Sequence, residues 1–178
     1  MRGVIDATGR PVDVELDQGR VDAVDEILAR SAALRGRSYI ERLLGTSIED
    51  SPVVRRDLQR PRARLRRLET LIEIGDEPWV VSTYWVVDRD FPDLAEGWER
   101  GQTLVGAMAA GADLGLEYGW RSFSAAQACP EDAGLLQIPT GDPVLVRDGV
   151  NVDRDGRPVV RVHRRCRADR ARWVLRYR

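Results

Sequence analysis

The stretch Pro158–Arg167 holds the densest set of side chains that could bind an anion or transfer a proton. It is expected to form a β-strand, whose side chains alternate between two faces, so its charged residues should share one face. A bound anion would relieve the repulsion between neighbouring guanidiniums and gain charge-assisted hydrogen bonds. A solvent-facing strip paired with Asp and Glu is the alternative. The predicted anion-binding face consists of Arg161, His163, Arg165 and Arg167.

His163 is the single histidine of the chain. Imidazole is the side chain best matched to proton transfer near neutral pH, so His163 is the candidate catalytic acid or base. A packed or exposed histidine without a chemical role is the alternative. The sequence offers no second histidine and no cluster of cysteines to complete a metal site, so we expect no bound metal.

Two further residues could contact a ligand from neighbouring strands. Arg67 precedes Leu68 in an apolar stretch, which predicts a buried guanidinium that needs an acceptor. That acceptor could be Glu69, another carboxylate of the chain, or a ligand. Tyr84 could donate a phenolic hydrogen bond to the same ligand or simply fill the core.

The elements that position these residues begin with a predicted hairpin. Gly9 supplies a tight turn, and apolar residues then alternate with acidic ones. Further along, apolar residues follow the 3.6-residue period of a helix. We expect, in order, a hairpin at 4–12 continuing to Leu16, helices at 21–28 and 39–44, and a loop marked by Ser51-Pro52 and Arg60-Pro61.

The rest of the sequence predicts strands interrupted by isolated helices. Strands are expected at 62–74, 79–87, 116–128, 144–153 and Pro158–Arg167, with helices at 103–114 and Pro130–Leu136. Such an order is typical of an α+β fold, with helices packed on an antiparallel β-sheet. No linker separates parts of the chain, so 1–178 is expected to be a single domain.

Composition limits the partners and the compartment. The 178 residues carry 28 basic and 29 acidic side chains and a net charge of −1, so there is no basic surplus to attract nucleic acid. No apolar run approaches the length of a membrane span, and the two cysteines, Cys129 and Cys166, form no disulfide framework. We expect a cytoplasmic protein with reduced thiols. Nucleotide-binding loops, serine hydrolase elbows and CxxC pairs are absent from the sequence, so no cofactor is expected.

Several short sequence motifs between residues 66 and 174 occur in the order and spacing that a known family shows. The residues that carry the likeness are Gly75-Asp76-Glu77-Pro78, Phe91-Pro92-Asp93-Leu94, Pro130–Leu136, Thr140-Gly141-Asp142-Pro143, 153–158 and Arg167-Ala168-Asp169-Arg170. This part of the chain resembles the UTRA domain, the effector-binding half of GntR-type transcription regulators. Its fold is shared with chorismate lyase. The resemblance implies a domain that holds a small effector and that can form a homodimer.

The segment 1–60 lacks the winged helix-turn-helix of GntR-type regulators and is more similar to the helices that begin chorismate lyases, whereas 61–178 is UTRA-like. Arg67 and Glu77-Pro78-Trp79 stand at similar places in those enzymes. Ser82-Thr83 replaces their Gly-Arg pair, and His163 falls where they carry a catalytic glutamate. Ser82, at the place of that pair, is therefore a candidate ligand contact beside Tyr84, and the resemblance does not imply ordinary chorismate lyase activity.

Two functions remain open from the sequence. The first is a metal-independent biosynthetic enzyme of the lyase, cyclase or rearrangement type that acts on a small carboxylated metabolite, with His163 as its acid or base. The second is a non-catalytic effector-binding module, a sensor linked to transcription regulation. In both, the partner is a small anionic metabolite rather than nucleic acid or a membrane.

Overall fold

The computed structural model describes residues 12–16, 36–92, 94, 103–104, 107–108 and 115–175. This part of the chain contains eight strands, two α-helices that are described along their whole length, and one short 3-10 helix at Asp88–Asp90. The helices are α1 (Pro52–Asp57) and α2 (Pro130–Leu136). The strands are β1 (Val12–Leu16), β2 (Tyr39–Glu49), β3 (Leu65–Ile74), β4 (Glu77–Val87), β5 (Glu117–Gln127), β6 (Pro143–Val152), β7 (Pro158–Arg167) and β8 (Ala171–Leu175).

Six strands form one antiparallel sheet in the order β2-β3-β4-β7-β6-β5. Two tight turns set its hairpins. Gly75 takes φ +65° between β3 and β4, and Gly156 takes φ +76° between β6 and β7, a region that glycine enters at little cost. In the second turn the Asp153 carboxylate accepts the backbone N–H groups of Asp155 and Arg157, both at 2.9 Å. The α+β architecture expected from the sequence is confirmed.

A second, two-stranded sheet joins distant parts of the chain. Strand β1 pairs in parallel with β8, from Val12 opposite Ala171 to Leu16 opposite Leu175. Ala171 is buried and belongs, with Ile72 and Trp79, to one of the hydrophobic clusters of the large sheet. The small sheet therefore packs on the large one.

The large sheet has two faces with different coverings. We call the first the α1–α2 face, because both helices pack on it. Leu58, which follows α1, packs against Leu65, and Leu136 of α2 packs against Val81. We call the other the inner face. It carries Tyr84 and Val162, which pack against a group of buried residues that includes Leu104, Met108 and Leu116.

The prediction of a helix at 39–44 is wrong. These residues begin β2, which pairs with β3 along its length apart from one register shift between Leu43 and Gly45. The apolar spacing suits a helix, but pairing with β3 satisfies the backbone and places Glu41 on the inner face, where it is 1 % exposed.

The loop expected around Ser51-Pro52 contains α1. Ser51 caps this helix, since its Oγ accepts the Val54 N–H at 3.4 Å, and Pro52 takes a first-turn position where its missing N–H costs nothing.

The strands expected beyond residue 62 are confirmed, as is Pro130–Leu136 as a helix. For the helix expected at 103–114, Leu104, Ala107 and Met108 are helical. The remaining positions of that helix lie outside the described residues, as do 4–11 and 21–28. None of the helices in the described part combines the length and apolar composition that crossing a membrane requires.

Candidate functional site

The predicted site residues divide between the two faces of the sheet. Cross-strand register places Arg67 opposite Trp85, and Trp85 opposite Arg161, on the α1–α2 face. The alternation expected along β7 holds, so His163, Arg165 and Arg167 lie on that face as well. Ser82 and Tyr84 face the other way. A single site cannot be built from the whole predicted set, because the sheet itself separates them.

On the α1–α2 face each predicted cation meets a carboxylate of the chain. Arg161 binds Asp57 at 3.1 Å and Asp148 at 2.5 Å, and it stacks 5.2 Å from the centroid of the Trp120 ring. Further along β7, Arg165 binds Asp132 at 2.8 Å and Glu69 at 3.2 Å. These pairs match the alternative reading of the strand, in which its arginines are neutralised by Asp and Glu.

Arg67 and Arg167 are paired too. Arg67 Nη2 donates to Glu69 Oε1 at 2.8 Å, and its Nε lies 3.6 Å from Glu49. The acceptor that the sequence required for Arg67 is thus available within the chain. Arg167 forms a two-pronged contact with Asp169 at 3.1 and 2.9 Å.

His163 contacts a carboxylate rather than only cations. Its Nδ1 lies 3.0 Å from Asp148 Oδ1, the oxygen that also accepts Arg161. Burial alone would raise the pKa of Asp148, but the hydrogen bonds from Arg161 and His163 outweigh it and bring the pKa below its ordinary value. The arrangement fixes the ring of His163, and its proposed acid/base role stays a prediction.

The inner face carries a buried polar network that begins at Glu41. Its Oε1 accepts the hydroxyls of Thr70 at 2.7 Å and Tyr84 at 3.0 Å, while Oε2 accepts the backbone N–H of Leu104 at 3.0 Å. The Tyr84 hydroxyl in turn accepts Arg164 Nη2 at 2.7 Å. A chain of hydrogen bonds therefore runs from a buried carboxylate to a buried guanidinium.

Arg164 has a second arginine directly beside it. Register pairs Arg147 of β6 with Arg164 of β7, and the two side chains are only 3 % and 2 % exposed. A third, Arg121 of β5, lies one row away on the same face. Burial, and then the charges of Arg147 and Arg164, lower the pKa of Arg121 to about 9, although Tyr118 opposes this. We call Arg121, Arg147 and Arg164 the arginine trio.

Ser82 adds a hydroxyl next to the arginine trio. It pairs across the strands with Thr70 on one side and with Arg164 on the other, and it is fully buried. Among the described residues its Oγ finds no hydrogen-bond partner. Buried hydroxyls nearly always have one, so this position is suited to a hydrogen bond with a bound molecule.

Aromatic rings border the arginine trio. The Arg147 guanidinium lies 5.2 Å from the ring centroid of Trp173, which itself contacts Phe123 at 6.0 Å. Arg121 lies 3.9 Å from the ring centroid of Tyr118. Guanidinium groups held against rings keep their donors in fixed directions, which suits recognition of a planar anion.

The sequence reading missed the arginine trio and Glu41. A signal was present for Arg164, because it occupies the apolar register of β7 between Val162 and Cys166, where a cation must have a partner. Arg147 interrupts the apolar run of β6 in the same way. Glu41 was hidden by the helix expected at 39–44. The described residues contain no group of three or more histidine, cysteine, aspartate or glutamate side chains placed to hold a metal ion.

The UTRA domain family model matches residues 35–172 of the chain. Among solved structures, the chain is similar to the effector domain of PhnF from Mycobacterium smegmatis, with 17 % identity and a TM-score of 0.77 over 94 % of this chain and 99 % of that one.

Longer PhnF from the same organism gives 17 % identity and a TM-score of 0.79 over 94 % of this chain and 72 % of that one. A GntR-family transcriptional regulator from Enterococcus faecalis has 20 % identity and a TM-score of 0.63, over 77 % of this chain and 99 % of that one. At such identities these structures show the fold alone. Since the family model spans most of its residues, the chain belongs to the UTRA domain family.

Proposed function

We propose that this domain is a non-catalytic sensor that binds a small carboxylated metabolite on the inner face of its sheet. The anion is held by the arginine trio, with the Ser82 hydroxyl as a further hydrogen-bond partner. Occupancy of the site is passed to a DNA-binding partner that regulates transcription.

The observation that carries the proposal is the direct pairing of Arg147 with Arg164 in a buried layer. Like charges placed opposite each other across strands destabilise a sheet, and burial removes the water that would screen them. Arg121 adds a third positive charge to the same layer. Its pKa is lowered first by burial and then by the charges of Arg147 and Arg164. An anion would convert this repulsion into charge-assisted hydrogen bonds.

The neighbouring rings favour a flat or cyclic metabolite over an inorganic ion. Trp173 and Tyr118 flank two of the three guanidiniums. A carboxylate bonded to a ring would place its oxygens at the arginines and its apolar body against these aromatics.

The relatives support the sensor over the enzyme. Those named above are an effector domain and a GntR-family transcriptional regulator, and neither is named for a lyase or biosynthetic activity. The position of the site also argues against the enzymatic hypothesis. His163, the acid or base of that hypothesis, lies on the opposite face of the sheet from the arginine trio. We therefore favour the sensor interpretation of the sequence over the biosynthetic enzyme.

The test is a panel of cyclic and aromatic carboxylates, each paired with its uncharged amide, screened by thermal shift and then by calorimetry. The carboxylates should raise the melting temperature through binding to the native state, while the amides should not. Equal stabilisation by acid and amide would reject an arginine-based site.

Two variants decide which face binds. Arg147→Gln should weaken the best carboxylate by about 10-fold or more, the usual consequence of losing a charge-assisted hydrogen bond. Arg67→Gln, on the α1–α2 face and already paired with Glu69, is the matched control and should bind as the wild type does. The reverse result would move the ligand to the α1–α2 face, where the sequence first placed it.

A further inference from the structure

An open cleft lies at one end of the large sheet, between the loop that leads from α1 into β3 and the residues that follow β4. Its volume is about 600 Å³, and the charged residues that line it are Arg60, Arg62, Arg64, Asp88 and Arg89. We call this surface the basic cleft. It concentrates positive charge in one place on a chain whose overall net charge is only −1.

Hydrogen bonds hold the backbone of the basic cleft in place. The Ala63 N–H donates to the carbonyl of Arg60 at 3.2 Å, which closes a tight turn. From α1, Arg55 Nε donates to the carbonyl of Ala63 at 2.9 Å. On the β4 side, the Asp88 N–H donates to the carbonyl of Arg64 at 2.9 Å. The arginines therefore project from a fixed backbone, which lowers the ordering cost of binding a ligand.

Among the described residues that line the basic cleft, Asp88 is the one carboxylate. Its Oδ1 lies 2.6 Å from Nη2 of Arg66, and its Oδ2 lies 3.2 Å from Nε of Arg64. Both oxygens already have partners. Asp88 therefore cannot neutralise the other arginines of the cleft.

Most guanidinium donors of the basic cleft remain free to bind a ligand. Arg64 and Arg89 each contact a carboxylate through Nε alone, and their side chains are 69 % and 81 % exposed. The side chains of Arg60 and Arg62 make no hydrogen bond or ion pair with any part of the chain that the structure describes. The α1–α2 face differs, because there each predicted cation meets a carboxylate of the chain.

This excess of guanidiniums suits a ligand with two linked phosphoryl groups. A single phosphate monoester carries a charge of about −1.5 to −2 at neutral pH, which is less than the excess of arginines over the one aspartate. A diphosphate brings more charge and more acceptor oxygens, so several guanidinium forks can bind it at once. A lone carboxylate has one charge and two oxygens and would leave most of the donors unused.

The volume and the apolar lining of the basic cleft favour an organic diphosphate. A cleft of this volume falls in the range of small-molecule sites, about 300–1,000 Å³. Pro61, Ala63 and Val87 add apolar surface beside the guanidiniums. The described residues that line the cleft include no aromatic ring, so it lacks the stacking platform that holds single-stranded nucleic acid. A small organic molecule fits this surface better than a nucleic acid does.

We propose that the basic cleft is a second ligand-binding site, which holds the diphosphate group of a small organic molecule. The groups that bind it are the guanidiniums of Arg60, Arg62, Arg64 and Arg89. The cleft is separate from the arginine trio, because Val87 lies about 16 Å along β4 from Ser82. The proposal does not depend on the carboxylate sensor, and the two sites bind anions of different chemistry.

The test uses inorganic pyrophosphate as the probe, titrated into the full chain by calorimetry in a buffer without divalent cations. Pyrophosphate should bind saturably with a Kd tighter than about 1 mM. Orthophosphate should bind at least about 10-fold more weakly, because it engages fewer guanidiniums. Replacing both Arg60→Gln and Arg62→Gln should raise the pyrophosphate Kd by at least about 10-fold, through loss of charge-assisted hydrogen bonds.

Arg42→Gln combined with Arg157→Gln is the matched control. These two exposed arginines lie outside the cleft and pair with Glu73 and Asp155. The control removes the same net charge as the cleft double variant, and it should keep the pyrophosphate Kd within about 2-fold of the wild type. Equal weakening by both double variants would reduce the effect to general charge attraction and overturn the proposal.

Two further measurements guard against a misfolded variant. The cleft double variant should keep the wild-type circular dichroism spectrum and melting temperature, because the Arg60 and Arg62 side chains bind nothing in the described part of the chain. Arg89→Gln, on the β4 side of the cleft, should also weaken pyrophosphate, by roughly 3-fold or more. Unchanged binding in Arg89→Gln together with unchanged binding in the cleft double variant would overturn the proposal.

Arg147→Gln separates the basic cleft from the arginine trio. This variant should bind pyrophosphate as the wild type does, and the cleft double variant should keep the wild-type affinity for carboxylates. Pyrophosphate binding that is lost in Arg147→Gln would overturn the proposal, as would equal binding of orthophosphate or a wild-type Kd weaker than about 1 mM. Duplex DNA that binds through Arg60 and Arg62 more tightly than pyrophosphate does would assign the cleft to nucleic acid instead.

Discussion

A Cβ atom placed on Gly149 would lie 2.6 Å from Cδ of Arg121 and 2.5 Å from the carbonyl oxygen of Trp120. The absent side chain at Gly149 therefore leaves the space in which the Arg121 side chain lies as it extends over β6 on the inner face. From there its guanidinium donates to the carbonyl of Val150 and to the side chain of Asn151. One glycine thus decides whether the third member of the arginine trio is in place.

Gly149→Ala should displace Arg121 and push against the backbone of β5. Overpacking of this kind costs about 1–3 kcal/mol of stability, and binding of the carboxylate should weaken as well. Gly134→Ala is the control, since Gly134 lies in α2 with no atom near its added Cβ, and it should gain roughly 0.5–1 kcal/mol without altering binding. Chemical denaturation and calorimetry measure both effects. Unchanged affinity in Gly149→Ala would remove Arg121 from the site.

Ser82→Ala should change stability and binding in opposite directions. The buried Oγ has no hydrogen-bond partner among the described residues, so its removal should leave the free domain as stable as before or more stable by up to about 1 kcal/mol. If the ligand accepts or donates at this hydroxyl, affinity should fall by roughly 3- to 10-fold. A clear loss of stability without ligand would instead assign Ser82 a structural partner.

The affinity for a carboxylate should decrease at high pH. The pKa of Arg121 in the free domain is about 9, whereas a bound carboxylate stabilises its charged form and raises that pKa. Below this pH the guanidinium is already charged and binding should be constant. Above it, binding must also take up a proton, so affinity falls as pH rises. Calorimetry in buffers from about pH 7 to 10.5 would show the decrease, and Arg121→Gln should flatten it.

Asp148 should make stability depend on acid pH. Its pKa in the folded domain is below the ordinary value of 3.8, so the unfolded chain binds the proton more readily. The stabilisation is therefore complete above that ordinary value and is lost as pH falls through the folded pKa. Denaturation curves at acid pH should decline less steeply for Asp148→Asn. Asp155→Asn, in an exposed pair with Arg157, should follow the wild type.

His163→Gln separates the two functions that the sequence left open. Under the sensor proposal, the variant should bind the carboxylate within about 2-fold of the wild type, because His163 lies on the α1–α2 face against Asp148. Product analysis should detect no conversion of the ligand by either protein. Conversion by the wild type that falls by roughly 100-fold in the variant would restore the catalytic assignment of His163.

Much of the fold could be predicted from turn chemistry and alternation. The strands expected at 62–74 and 79–87, and at 144–153 and Pro158–Arg167, form two hairpins whose turns contain Gly75 and Gly156, and α2 lies where the helix at Pro130–Leu136 was expected. The error at β2 has a physical cause, because 39–44 has helical apolar spacing and becomes a strand only through pairing with β3. Contacts between residues distant in sequence leave no local pattern to detect.

The site was harder to predict than the fold. Alternation along β7 correctly grouped His163 with its arginine neighbours, yet it could not reveal that Asp57, Asp148 and Glu69 would reach them from other elements. Nor could alternation show that Arg164, a charged residue between the apolar positions Val162 and Cys166 of β7, would lie beside Arg147. Pairing between strands creates that juxtaposition, and only the three-dimensional register shows it.

The parallel pairing of β1 with β8 has a consequence for how the domain is made. Val12–Leu16 finds its partner only at Ala171–Leu175, near the other end of the printed sequence. Closing so long a loop is slow compared with forming the hairpins of the large sheet. During synthesis β1 must wait until Ala171–Leu175 has left the ribosome. We expect the small sheet to form last, which leaves β1 exposed to chaperones and proteases for longer than any strand of the large sheet.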